Sequence, residues 1–198
     1  GIVGEPTQMH MAVTEKGLMV LDCIAHGEAG HAAREEGDNA IYQAMKHINW
    51  FNSFAFPKDS DTLGPIKMST TMIKSGSQHN VVPDRCEFVV DVRTTDAYSN
   101  EETLKIIRKH VNCEVTPRST RLSSSGIAMD HPIVKAGLAL DRKAYGSPTL
   151  SDQALMPFSS LKIGPGDSAR SHTADEYIEL KEIEEGIAIY ISLLKSIL

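Results

Sequence analysis

The sequence predicts a mixed α/β fold in two bodies: an incomplete α/β domain into which a smaller α+β, ferredoxin-like unit is inserted. Two observations predict it. From Gly17 to about Thr120 the elements run strand, helix, strand, strand, helix, strand, the split β-α-β order that gives an antiparallel sheet with both helices on one face. Beyond Arg118 the pattern changes to helix, loop, short strand, loop and long helix, with apolar faces larger than so few elements can cover. The boundaries this implies are 1–15 for a first segment of the outer domain, 16–121 for the inserted unit and 122–198 for the rest of the outer domain.

The first strand is GLMVLDCIAH, Gly17–His26, rich in β-formers and partly alternating. Asp38 or Asn39 caps a helix in which Ile41, Ala44, Met45, Ile48 and Phe51 recur at spacings of three and four. Phe56 to Asp61 is a loop by its turn residues, and 66–75 is a strand of Thr, Met and Ile. The next strand, 85–95, alternates Cys86, Phe88, Val90 and Val92 with Glu87, Val89, Asp91 and Arg93, and its neighbour is expected to be antiparallel. Ser99 and Glu102 make a capping box ahead of Leu104, Ile107 and Val111. A short strand, 112–116, closes the unit, and Ser119 to Gly126 reads as a linker. The tail offers a helix at 131–143, a strand at 161–164 and a helix at 179–198. Met45, Met68, Met72, Met129 and Met156 read as core filler.

The 198 residues are 41% hydrophobic and 23% charged, the composition of a folded globular chain rather than a disordered one. A net charge of -6 without a basic stripe argues against nucleic acid and anionic lipid as partners. No apolar run reaches the ~20 residues of a membrane span. Cys23, Cys86 and Cys113 are widely spaced and odd in number, which argues against a disulfide framework or thiolate zinc site and favours a reducing, cytoplasmic location. The opening Gly1-Ile2-Val3-Gly4 reads like the middle of a longer chain.

Three stretches place titratable groups beside Gly and Pro: Gly4-Glu5-Pro6-Thr7, Gly27-Glu28-Ala29-Gly30-His31, and the run from Gly164 to Glu176 that contains His172. A carboxylate on a rigid turn loses little further entropy on meeting a metal, and a loop His can project into a cleft. Zinc accepts both ligand types.

With GEPT, GEAGHAA, SGSQHNVVPDRCEFVVDVR, SDQAL and GPGDSARSHTADEYIEL in order along the chain, the sequence resembles the acetylornithine deacetylase, succinyl-diaminopimelate desuccinylase and aminoacylase family of co-catalytic zinc exopeptidases and deacylases. The resemblance implies a fragment lacking the N-terminal half of a zinc-exopeptidase-like catalytic domain. The ferredoxin-like unit would then serve as lid and homodimerisation surface. It implies two zinc ions per complete site, with cobalt or manganese as alternatives, Glu5 as ligand to one metal and His172 to the other. His31 resembles a lid histidine that reaches a neighbouring site across the dimer and helps hold the oxyanion. Asn80 and Arg93 resemble substrate-binding residues, the arginine suited to a carboxylate. Ser151, Asp152, Gly164 and Gly166 fall in loops expected to line the substrate cavity.

In the family mechanism two zincs lower the pKa of a bridging water, a Glu takes its proton, and the hydroxide attacks an amide carbonyl. The implied activity removes an acyl group from an N-acyl amino acid, with acetylornithine or acetylcitrulline favoured and a place in arginine biosynthesis. A di- or tripeptidase and a desuccinylase are the alternatives. For this chain alone, so is a non-catalytic dimerisation and substrate-binding piece. The family's first metal-binding His, bridging Asp and Glu pair precede the GEPT turn, and four residues ahead of Glu5 leave no room for them. Glu35-Glu36, Glu101-Glu102 and Glu184-Glu185 are not substitutes: they read as solvated charge at helix starts or on a helix surface. His10, His26, His47, His79, His110 and His131 read as surface or lightly buried histidines. GSPTLSD lacks the G-x-S-x-G elbow of a serine nucleophile.

Overall fold

In a computed structural model the described residues are 1–34 and 36–198, and Glu35 of the Glu35-Glu36 pair lies outside them. Glu36 stands in a loop rather than at a helix start, 3.8 Å from Arg34. The elements, in chain order, are β1 (Ile2–Val3), β2 (Met11–Glu15), β3 (Gly17–His26), β4 (Gly30–His31), α1 (Ala40–Ser53), β5 (Lys67–Ser75), β6 (Val81–Val82), β7 (Arg85–Thr94), α2 (Asn100–His110), β8 (Glu114–Pro117), β9 (Ser125–Gly126), α3 (Pro132–Ala139), β10 (Ala144–Ser147), β11 (Leu161–Lys162) and α4 (Leu180–Lys195). They fall into two compact units. One comprises Gly1–Gly17, Asp61–Leu63 and Ser124–Leu198, the other Leu18–Ser60 and Gly64–Ser123.

The unit containing β3 is a four-stranded sheet in the order β5-β7-β3-β8. β5 runs antiparallel to β7, and β8 antiparallel to β3. The strict alternation of β3 and β7 turns Met19, Leu21, Cys23, Phe88, Val90 and Val92 into one core with Ala44 and Phe51 of α1 and Leu104 and Ile107 of α2. Each such large side chain taken out of water contributes roughly 1.5–3 kcal/mol, so the apolar period is what fixes the layer. Asn39 accepts from the Ile41 amide to start α1, and Ser99 with Glu102 completes the capping box of α2. β4 and β6 form a separate two-stranded antiparallel ribbon.

The other unit has a five-stranded sheet, β1-β11-β2-β10 with β9 paired to β2. Met11, Val13, Leu161 and Ile163 pack with Ile133 and Val134 of α3 and Leu193 of α4. The close approach of α3 to β2 depends on Gly137, where a Cβ would stand 2.2 Å from Met11 Sδ. β2 and β10 escape a reading by period because β2 is buried on both faces and β10 is four residues long.

Several sequence expectations need correction. The helix expected at 131–143 ends at Ala139: Asp141 takes φ 58 and the Arg142 amide folds back to the Gly137 carbonyl at 2.9 Å, which terminates the helix and frees the chain for β10. The closing strand of the sheet begins at Glu114, and the strand at 161–164 is limited to Leu161–Lys162. The expected linker is tied down, because β9 pairs with β2 and Asn100 Nδ2 donates to the carbonyls of Thr120 and Leu122. Met45, Met72 and Met129 are 57%, 64% and 51% exposed. Met45 lies one position round the helix from the buried Ala44. A bulge between Thr70 and Met72 reverses the alternation of β5 and turns Met72 outward. Met129 sits in the turn before α3.

Candidate functional site

The GEPT turn is built on the glycines of the distant loop. Gly4 and Glu5 pass so close to Gly164 that a Cβ there would stand 2.5 Å from the Glu5 carbonyl oxygen and 2.7 Å from the Gly4 carbonyl. Thr7, buried, seals the crossing: its hydroxyl donates to the Gly164 carbonyl at 3.3 Å and accepts from the Gly164 amide at 3.1 Å. The amides of Thr7 and Met9 also donate to the Gly164 carbonyl, and that of Gln8 to the Gly166 carbonyl at 2.8 Å. Gln8 and Met9 hold φ of 54 and 56, and Gly166 holds 88, so the turn is kept in left-handed backbone by its hydrogen bonds. Gln8 Nε2 ties the assembly to Asp167 at 2.7 Å. The Glu5 carboxylate stands exposed on this frame.

The chain from Asp167 to Glu176 continues from the same frame. Asp167 caps the short turn Ser168–Arg170 by accepting from the Ala169 amide. Arg170 pairs with Glu182 of α4 and lies 4.8 Å over the Tyr177 ring. The hydrogen bond to Arg170 holds the Glu182 carboxyl below its ordinary value. His172 takes φ 62 and its amide donates to Glu176 Oε2 at 2.9 Å, so the residue is fixed by its backbone while its ring is exposed.

In the other unit the ribbon brings two candidates together. His31 pairs in register with Val81, and the Ala32 amide donates to the Asn80 carbonyl at 3.0 Å. His31 Nδ1 accepts from the Ala33 amide at 3.1 Å, which puts the proton of the neutral ring on Nε2 and makes that nitrogen a donor. Arg93 is not brought to them. It lies at the far end of β7, eight positions past Arg85 and so roughly 26 Å along the strand. Its guanidinium is held by Asp91 at 2.8 and 3.0 Å.

Ser151 has a different surrounding from the one expected. Its hydroxyl and amide donate to the Glu15 carboxylate at 2.9 and 3.0 Å. Glu15 in turn meets Lys162 Nζ at 2.6 Å, with side chains only 1% and 4% exposed. Lys162 also donates to Ser147 and Thr149. This buried pair ties β2, β10, β11 and the 147–151 loop into one network, and sequence reasoning missed it. The available signal was a Glu closing an apolar strand and a Lys inside the apolar run Leu161 to Ile163. Asp152 is exposed at the start of a single 3-10 turn. The other missed contributors are Thr7, Gln8 and Asp167, which hold the turn that carries Glu5. His131 caps α3, and His26 meets Glu114 at 2.8 Å.

The resemblance implies a metal pair, which needs several converging donors. Among the described residues no group of three or more His, Cys, Asp or Glu side chains converges. Glu5 and His172 are exposed O and N donors, fewer than a dinuclear site needs. No helix of the described residues is long and apolar enough to cross a membrane.

The chain, with its ferredoxin-like unit inserted between segments of a second α/β unit, belongs to the M20 peptidase family. The peptidase dimerisation domain of M20 enzymes matches residues 13–117. Among relatives, a LysW-lysine/LysW-ornithine hydrolase of Sulfurisphaera tokodaii is 25% identical over 99% of this chain and 58% of its own length. An acetylornithine deacetylase of Myxococcus xanthus is 23% identical over 92% and 53%. A tripeptidase of Staphylococcus aureus superposes with TM-score 0.75 at 18% identity, over 98% of this chain and 54% of its own. A dinuclear metal-binding M20 peptidase of Bacillus subtilis superposes with TM-score 0.63 at 14% identity, over 100% and 56%. The chain spans about half the length of the curated relatives it matches.

Proposed function

We propose that the protein to which this chain belongs is a metal-dependent amide hydrolase that removes an acyl group from an N-acyl amino acid, with acetylornithine or acetylcitrulline as substrate. The observation that carries the reading is the glycine-locked turn. It spends two left-handed residues, a buried threonine and a side-chain-free crossing to present one exposed carboxylate, Glu5, on a rigid frame from which the His172 loop departs. Such an investment in backbone suits a ligand that must not move. In this reading Glu5 and His172 each give a donor to a metal pair, zinc by the chemistry of an O and N donor set, whose remaining ligands lie in the part of the protein outside these 198 residues. When bound, the metals supply an activated water.

The protein's own groups then have separate tasks. His31, with its proton on Nε2, donates to the oxyanion of a substrate bound by a second subunit, and Asn80 beside it fixes the substrate. Arg93, at the other end of β7, binds the amino-acid carboxylate once it is released from Asp91. The length of β7 supports assigning the two ends to two different sites of a homodimer. For the 198 residues taken alone, the second reading is a dimerisation and substrate-binding piece, supported by the match of the peptidase dimerisation domain to residues 13–117.

The test is a comparison of kcat/KM for acetylornithine, acetylcitrulline, succinylated diamino acids and di- and tripeptides on the full-length enzyme, with Glu5→Ala, His172→Ala and His31→Ala. Deacylation is expected to exceed peptide cleavage, and each variant to lose about a hundredfold or more. Equal or faster cleavage of tripeptides makes the enzyme a peptidase. Unchanged activity in Glu5→Ala and His172→Ala removes the metal assignment.

A further inference from the structure

The core of the ferredoxin-like unit holds a pair of thiols that the hydrolase reading does not use. Cys23 stands on β3, 1% exposed, opposite Val115 of β8. Cys113 lies two positions before Val115, in the bend by which the chain enters β8, and is half-buried against the same core. Both pack on the same core one diagonal step apart across the antiparallel pair, and both are reduced. Ninety positions apart in sequence, they meet only because β8 docks on β3.

We propose that Cys23 and Cys113 are a redox modification site, a dithiol that hydrogen peroxide closes to a disulfide and that small thiols reopen. The roles follow from their surroundings. Cys113 is the accessible member, and its contact with Cys23 lowers its thiol below the ordinary value. Cys23 is sealed in, and the same contact together with burial raises its thiol. Cys113 therefore reacts first: its thiolate attacks the peroxide O–O bond, giving a sulfenic acid and releasing hydroxide. The Cys23 sulfur then attacks the sulfenic sulfur, and the departing hydroxide takes the Cys23 proton as water. In sum, two thiols and one hydrogen peroxide give one disulfide and two waters. The product staples β3 to the start of the edge strand β8.

Cys86 provides the internal control. It is also buried, and burial raises its thiol, but it lies on β7 with Ser75 as its neighbour. The experiment is peroxide titration of the folded chain followed by thiol counting and peptide mapping. Free thiols are expected to fall from three to one, with the Cys23 and Cys113 peptides joined at the loss of two hydrogens, and dithiothreitol to restore all three. Cys86→Ala is expected to leave the link unchanged. Cys113→Ser, a mild change at a half-buried position, is expected to slow oxidation of Cys23 at least about tenfold. A link that uses Cys86, a link between chains, or oxidation of Cys113 beyond the sulfenic acid without any link overturns the proposal.

Discussion

The sheet built on β3 and β7 and the turn built on Gly4 to Met9 are held by opposite means. In the sheet, alternate side chains are large and apolar, and the structure exists because Phe88, Val90, Leu21 and Ile107 have somewhere dry to go. In the turn the side chains that matter are the missing ones. Gly164 admits the Glu5 backbone, and the bonds that close the crossing join residues 157 positions apart. A layer held by packing can yield locally when one side chain shrinks. A crossing of two backbones has no such freedom, and it is the crossing that carries the exposed carboxylate.

The sharpest way to break the comparison is to add one carbon on one side and remove many on the other. Gly164→Ala puts a Cβ 2.5 Å from a backbone oxygen that no rotamer can move aside. We expect a loss on the order of 4 kcal/mol or failure of that unit to fold, read by urea denaturation. Phe88→Ala, which deletes a ring 1% exposed, is expected to lose about 3–5 kcal/mol while the sheet keeps its topology. An alanine at 164 tolerated within about 1 kcal/mol ends the claim that the crossing is rigid.

The buried Glu15–Lys162 pair sharpens the comparison from a third direction, since it is polar yet dry. Lys162→Met leaves a carboxylate that is 1% exposed with Ser151 and Ser125 as its side-chain donors among the described residues, and about 3–5 kcal/mol is expected to be lost. Replacing both partners, Glu15→Leu with Lys162→Met, is expected to recover most of that loss, because the large term is the unpaired charge. If the single and double variants are equally unstable in urea, packing rather than charge is what the pair supplies.

These contrasts also decide what could be read from the residues alone. β3 and the start of α2 were legible because alternation and the Ser99–Glu102 box are local patterns. β2 was not, since five residues buried on both faces carry no period. The outward face of Met72 is hidden from the sequence because a bulge is a property of the strand pair, not of either strand. In the candidate site, Glu5, Gly164 and His172 stood out by chemistry and motif. Thr7 as the clasp, Ser151 as partner of Glu15, and Lys162 did not, because each is defined by a neighbour more than a hundred positions away or by burial that no local window reports.

The smallest effect belongs to the surface of the ordinary sheet. Asp22 on β3 accepts three hydrogen bonds from the Arg118 guanidinium, with side chains 47% and 56% exposed. That contact holds the Asp22 carboxyl below its ordinary value of 3.8, while the little burial there opposes it. The sign follows from which state binds the proton more readily. Between the two pKa values the unfolded chain is protonated and the folded one is not, so the pair's contribution is fully present above the unfolded value. It fades as pH falls through the folded one. Asp22→Asn is therefore expected to lower the urea midpoint slightly at about pH 6, and the gap from the parent to narrow as the pH falls below 3.8. Solvent and salt screen the pair, so the difference at pH 6 is expected to shrink further in molar salt. A gap that widens on acidification instead would mean that Arg118 does not hold Asp22 in the folded chain.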